Sequence, residues 1–279
     1  MAIKWKKKFA LLLAAICACF VLPSAKNASA DGGEKTPVLV LMYHQLLRSR
    51  KSDYIVSPEL FEKDLILLKE KGYCCLTSRE IIDYVLEDGD LPEKPVLITF
   101  DDGHYNTLHY GAKILKEQGF TALISVIGKF CNNSTNLGTG GNANYSYLTW
   151  NEIRLMADSG LFEIGNHTYD MHKFHPRFGA KQMAGESDAD YTRALKSDVE
   201  KLQNILKEKC GVECNVFAYP FGEYNALTKK ILSEEGFDMM LTCNEGVSVV
   251  ERGKAESLFQ IRRYNRSPSL DLEKLLQKP

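Results

Sequence analysis

The five residues Val96-Leu97-Ile98-Thr99-Phe100, four apolar and one threonine, read as a strand buried on both faces. They run without a spacer into Asp101-Asp102-Gly103. Two adjacent carboxylates at the end of a buried strand are costly unless a cation neutralises them, because low dielectric penalises an unpaired charge. A metal ion is the natural candidate. Further ligands are on offer about 65 residues later, in Asn166-His167-Thr168-Tyr169-Asp170-Met171-His172.

The rest of the chain repeats this strand-then-polar pattern. Val38 to Tyr43 is a second buried run, with His44 at its C-terminal end. Ser57-Pro58-Glu59 has the cap and first-turn proline of a helix that Gly72 stops. A second helix runs from Thr77 or Ser78 to Glu87, and a third from about Asn106 to Gln118. Thr121 to Ile127 is a strand. Asn132 to Asn144, rich in Asn, Gly, Ser and Thr without periodicity, reads as an exposed loop. Thr149-Trp150-Asn151-Glu152 is a capping box, and Phe162 to Gly165 a strand leading into His167. A helix over about 190–209, the strand Val216 to Tyr219, a helix over about 227–235, strands at Met239 to Cys243 and Phe259 to Arg262, and a terminal helix near 270–277 complete the chain. Alternation of this kind predicts a mainly parallel sheet with crossover helices, in which chemistry gathers at strand C-termini. His44, Asp101 with Asp102, His167 and the Pro220 loop each follow a predicted strand.

At 279 residues and 44 % hydrophobic, the chain is long enough to bury a single large core. Residues 1–30 stand apart. Four lysines precede the apolar run Phe9 to Leu22, and Ala28-Ser29-Ala30 offers a small-residue cleavage site. That order is a secretory signal peptide, too short for a comfortable membrane span, with an uncleaved anchor as the alternative. Residues 31–279 form the mature domain, secreted or held at the cell surface. Without the five lysines of the leader, 30 basic side chains face 36 acidic ones, a formal net charge of −6. Such a surface has no general electrostatic reason to bind nucleic acid. Six cysteines remain; Cys210 and Cys214 are close enough in sequence to consider as a pair, and the spacings do not form zinc knuckles.

Asp102, His167 and His172 make a two-histidine, one-carboxylate set that leaves coordination positions open for water and substrate. Taken singly, Asp-Gly is also a common turn pair and each histidine could be a satisfied structural residue. Their joint placement at strand ends favours the site.

Thr99-Phe100-Asp101-Asp102-Gly103, followed by His167-Thr168 and a second histidine, resembles the polysaccharide deacetylases, the carbohydrate esterase group sharing the NodB homology domain. Ala218-Tyr219-Pro220-Phe221-Gly222 is similar to that family's third motif. The resemblance covers roughly residues 37–266. It implies an α/β fold, a distorted (β/α) barrel of about seven parallel strands in one domain, and metal-dependent hydrolysis of N-acetyl groups. By position it implies Asp101 as general base and Asp102, His167 and His172 as ligands of one divalent ion, zinc first, with cobalt, nickel or iron suiting the same set. Tyr219, Pro220, Phe221 and Gly222 would border the substrate, and Thr168 would orient a ligand.

Three departures from the family pattern bear on the reading. The histidines are five apart where most members have four, a spacing that resembles the branch of bacterial poly-β-1,6-N-acetylglucosamine deacetylases. Ala218-Tyr219 stand where an arginine usually precedes the proline, which leaves open what orients Asp101. No histidine follows His175, so the usual late general acid is missing. Met42-Tyr43-His44 resembles the same branch and makes His44 the expected acid, with His104 as its rival; His109 and His175 read as surface residues. The expected function is exported, metal-dependent N-deacetylation of a β-linked N-acetylglucosamine exopolysaccharide. Peptidoglycan or chitooligosaccharides are the alternative substrates, and an inactive carbohydrate-binding protein on the same fold is the non-enzymatic alternative. The oligomeric state is not legible.

Overall fold

The computed structural model describes residues 33–50 and 52–277. The expected signal peptide lies outside the described residues. From the N-terminus the elements are β1 (Lys35–Tyr43), β2 (Gln45–Leu46), β3 (Ile55–Val56), α1 (Pro58–Glu70), β4 (Cys74–Cys75), α2 (Ser78–Leu86) and β5 (Pro95–Phe100). They continue with α3 (Ala112–Gln118), β6 (Ala122–Val126), α4 (Gly128–Leu137), α5 (Trp150–Asp158) and β7 (Phe162–Asn166). The last are α6 (Asp188–Ile205), β8 (Val216–Ala218), α7 (Ala226–Glu234), β9 (Met239–Leu241), β10 (Ser248–Glu251), β11 (Tyr264–Asn265) and α8 (Leu272–Leu275).

Most boundaries follow the local signals. Ser57 caps α1 through Leu60 N–H with Pro58 in the first turn, and Thr77–Glu80 and Thr149–Glu152 close capping boxes on α2 and α5. Each reciprocal box satisfies amide donors that a helix start otherwise leaves open.

The sheet runs β10-β1-β5-β6-β7-β8-β9 and is parallel except for β10, which lies antiparallel to β1. All six residues of β5 are buried, since helices cover one face and the curled interior the other. The sheet curls so far that one late segment spans its two ends. Ile261 bonds to Met240 and Thr242 beside β9, and from three residues further on Tyr264, Asn265 and Arg266 bond along β1. The result is the distorted barrel expected from the sequence, with all the reactive strand ends on one rim.

Two expectations are corrected. Residues 132–137 are not loop but the last turns of α4, which ends at Gly138 in the left-handed region. These turns lack an apolar period, and tertiary contacts hold them: Cys131 and Ser134 are buried, and Thr135 Oγ1 accepts from Trp150 N–H at 3.0 Å. Near the C-terminus, the expected strand Phe259 to Arg262 is a 3-10 turn at Ala255–Leu258 and a single bridge at Ile261, and the regular pairing falls at Tyr264–Asn265. Cys210 and Cys214 are not bridged; their thiols donate to the carbonyls of Trp150 and Val216.

Candidate active site

β5 delivers its two carboxylates to opposite tasks. Asp101 continues the strand, with its N–H on the Tyr43 carbonyl of β1 at 3.0 Å. The next residue breaks the extended geometry. Asp102 adopts φ +73° and Gly103 φ +79°, which swings the second carboxylate away from the first. Among the described residues only Asp102, Thr168 and Phe221 are non-glycine residues with positive φ, and all three lie at this rim. Such strained backbone persists only where the surroundings over-determine it, and it clusters at functional sites.

Asp101 is 2 % exposed and grips Arg263, itself fully buried, through two parallel bonds from Nη1 and Nη2 at 2.8 and 2.7 Å. Arg263 Nε donates to the Thr242 carbonyl and Nη1 also reaches Thr99 Oγ1. Burial opposes the Asp101 charge, but the Arg263 guanidinium together with the neighbouring His167 and His44 outweighs that and holds the carboxyl below its ordinary range. Arg263 therefore occupies the role for which no residue was visible beside Pro220. It arrives on the segment that closes the barrel, 162 residues from its partner.

Asp102 faces the histidines. Its Oδ1 lies 3.7 Å from His167 Nε2 and 3.6 Å from His172 Nε2, and the three ligand atoms fall within 4.8 Å of one another. Donors held about 2.1 Å from a tetrahedral ion stand roughly 3.5 Å apart, so the spacing suits one. Asp102 Oδ1 is buried without a hydrogen-bond partner, a condition that a cation removes. The tautomer fits too. His167 Nδ1 lies 2.8 Å from the Ala218 carbonyl, which only accepts, so the proton sits there and Nε2 offers its lone pair to the site. Burial and the neighbouring His167 push His172 down to about 4, keeping it neutral as a ligand must be. The residues present therefore fit a divalent ion with three protein ligands and open positions.

The chain between the two histidines is clamped from both sides. Gly128 and Lys129, at the start of α4, donate to the carbonyls of Thr168 and Tyr169 at 3.0 and 2.8 Å. From α6, the Asp198 carboxylate accepts the N–H groups of Tyr169 and Asp170 at 2.6 and 2.9 Å. Thr168 N–H bonds to Asn166 Oδ1, and Thr168 Oγ1 accepts from Met171 N–H. Thr168 thus shapes the turn itself. Gly128 is required because a Cβ there would stand 2.6 Å from the Tyr169 ring.

His44 follows β1, its ring edge against Tyr54 at 4.8 Å and its Nδ1 buried without a partner. Burial lowers its pKa from the usual imidazole value. His104 lies behind Asp102, Nε2 at 3.6 Å from Oδ2, and stacks on Tyr147 at 4.6 Å. In the third motif, Phe221 sits with its ring 4.3 Å from that of His172, and Gly222 (φ +72°) packs a missing Cβ against Cys243. Pro220 is buried in the turn. Tyr219 corrects the expectation: its side chain is fully buried, bonded to the Phe259 carbonyl at 3.2 Å and stacked on Tyr224, so it supports the turn from beneath and does not face the site.

Residues 88–240, more than half of the chain, match the family model described as polysaccharide deacetylase. The chain belongs to the polysaccharide deacetylase family, and the chemistry of that family is hydrolysis. Among its relatives, YxkH of Bacillus subtilis is 26 % identical over 83 % of this chain and 72 % of its own length. The poly-beta-1,6-N-acetyl-D-glucosamine N-deacetylase of Staphylococcus epidermidis is 25 % identical over 76 % of this chain and 74 % of that protein. The enzyme of that name from Escherichia coli K12 is also 25 % identical, but the match spans only 30 % of its length. Of solved structures, IcaB from Ammonifex degensii superimposes with a TM-score of 0.69 at 28 % identity, covering 88 % of this chain and 96 % of that one.

Proposed function

We propose that this protein is an exported, metal-dependent N-deacetylase that hydrolyses acetamide groups on a β-linked N-acetylglucosamine polymer. The observation that carries the reading is the division of labour at the end of β5. Asp102 turns to two histidines with an unpartnered oxygen, whereas Asp101 is held apart by Arg263. A base and a ligand are thereby kept separate, as amide hydrolysis by activated water requires.

A divalent ion at Asp102, His167 and His172 would supply a polarised acetyl carbonyl and a more acidic water. The Arg263 fork takes two lone-pair positions of Asp101 and leaves two, one of which can accept the water proton. Arg263 also fixes the carboxylate plane. Burial lowers the His44 pKa from the usual imidazole value, so in the acid role it takes up a proton from solvent before passing it to the leaving amine, while Asp101 keeps the proton of the water. In the third-motif turn Pro220 has no N–H and the Gly222 N–H is bonded to the Tyr219 carbonyl, so the Phe221 N–H is the donor that would border the oxyanion. Export rests on the leader at residues 1–30. The five-residue histidine spacing, His44 and the names of the staphylococcal and E. coli relatives support a β-1,6-linked polymer.

The test is acetate release by the protein lacking residues 1–30 from poly-β-1,6-N-acetylglucosamine and from peptidoglycan, with and without a chelator. Chelator-sensitive release from the first polymer is expected. Release from peptidoglycan alone would move the substrate, and bound polymer with no release from either would favour a carbohydrate-binding protein.

A further inference from the structure

Beside His172 the rim carries three phenylalanine rings in a row. Phe221 contacts Phe174 at 4.6 Å and 24°, and Phe178 at 4.9 Å and 1°, and Phe174 and Phe178 are themselves 5.8 Å apart. Phe174 is 64 % and Phe178 43 % exposed, so two large apolar rings stand together in water. Exposed aromatics gathered on one surface mark a contact with something that shares their chemistry.

The loop that carries them is built to stay in place. Arg177 forks onto Glu186, Gly179 N–H donates to the Lys173 carbonyl at 2.9 Å, and Lys173 pairs with Asp170. Gly179 (φ +61°) lies so close to the third motif that a Cβ there would stand 2.5 Å from the Pro220 carbonyl oxygen. Lys181 pairs with Glu223 across the same junction. The loop and the Pro220–Phe221 turn therefore form one rigid unit, and through Phe221 the ring surface is continuous with the ring of His172.

We propose that Phe174, Phe178 and Phe221 form a subsite for the sugar unit next to the one being deacetylated. This rests on the reading of the protein as a polymer deacetylase. A pyranose with equatorial substituents presents a flat face of C–H groups that packs on an aromatic plane, and its hydroxyls turn outward to polar groups such as Lys181 and Glu223. Phe221 stands against His172 at the Asp102 site, and the exposed Phe174 and Phe178 lie beyond it, where the next unit of a chain can rest. The subsite makes the enzyme prefer an oligomer over the monosaccharide, and Phe174 and Phe178 act as substrate-positioning residues.

The experiment compares the protein with F174A/F178A and F174Y/F178Y. Binding of a β-1,6-linked N-acetylglucosamine pentamer is followed by calorimetry, alongside acetate release from the pentamer and from N-acetylglucosamine. Removing both rings should raise the pentamer Kd and KM about tenfold, the scale of one lost aromatic contact, and the tyrosine pair should restore them. Equal pentamer Kd and KM in the protein and F174A/F178A overturns the subsite while leaving the deacetylase reading intact. Ring-dependent pentamer binding without acetate release keeps the subsite and removes the enzymatic reading. A G179A variant, which pushes the loop off the Pro220 turn with both rings intact, should reproduce the raised Kd; an unaltered Kd would show that ring placement is irrelevant. Ring-dependent sedimentation with phosphatidylglycerol vesicles, with no change in pentamer Kd, would assign the surface to lipid and overturn the proposal.

Discussion

Arg263 lays two guanidinium nitrogens against the two carboxylate oxygens of Asp101, at 2.8 and 2.7 Å, with both side chains shielded from water. Removing either partner alone strands the other as a buried charge, which costs about 3–5 kcal/mol. R263M and D101N should each lower the unfolding free energy by that order. The double variant D101N/R263M should recover much of the stability and none of the activity. If the double variant is as unstable as the sum of the single ones, the pair is not the coupled unit described here.

Asp198 accepts two successive backbone N–H groups between the metal-site histidines. D198A should cost about 1–3 kcal/mol through the amides left unpaired. By loosening the relation of His172 to His167, it should also weaken metal retention about 10–100-fold. D198N, which keeps one acceptor, should fall between. Metal affinity by chelator competition checks this, and an affinity unaltered in D198A would show that the loop holds its shape without the clamp.

The pH dependence of stability follows from His172, which the fold keeps neutral down to about 4 against an ordinary value of 6.5. Above 6.5 the folded and unfolded chains bind the same number of protons at this site. As pH falls towards 4 only the unfolded chain gains one, so stability drops through that window and levels off below it. The 2.5-unit gap sets a ceiling of about 3 kcal/mol. Urea unfolding of chelator-treated protein from pH 7 to pH 4 measures the slope, and H172Q should flatten it; the same slope in H172Q would place the titrating group elsewhere.

His44 has a buried, unpartnered Nδ1 at the mouth of the site. H44Q should retain bound metal and lose about 10²–10⁴-fold in kcat, the range for a general acid. Full turnover in H44Q would transfer the role to His104, whose own variant would then carry the loss.

His172→Ala should release metal and activity together, since two donors hold an ion far less well than three. Full metal stoichiometry in that variant would overturn its place in the ligand set.

Sequence alone determined the central strands, because a strand buried on both faces has to be a largely apolar run, as Val38 to Tyr43 of β1 and β5 are. It also determined where chemistry would gather. Asp101 and Asp102 are charged groups fastened directly to such a run, where a buried charge needs a cation or a partner, and His167 follows the end of β7. Only the tertiary structure decided the rest. Arg263 meets Asp101 because the barrel closes at Ile261–Arg266, and closure depends on sheet curl summed over every strand. The last turns of α4 exist because Thr135 accepts from the start of α5 and Cys131 and Ser134 are buried, not because their own residues favour a helix. Phe174 and Phe178 carry no period and no motif; they become a surface only when Gly179 seats their loop on the Pro220 turn. Short-range patterns record what each residue needs from its neighbours in the chain. The distant partner that meets the need is chosen by packing, and packing has no local code.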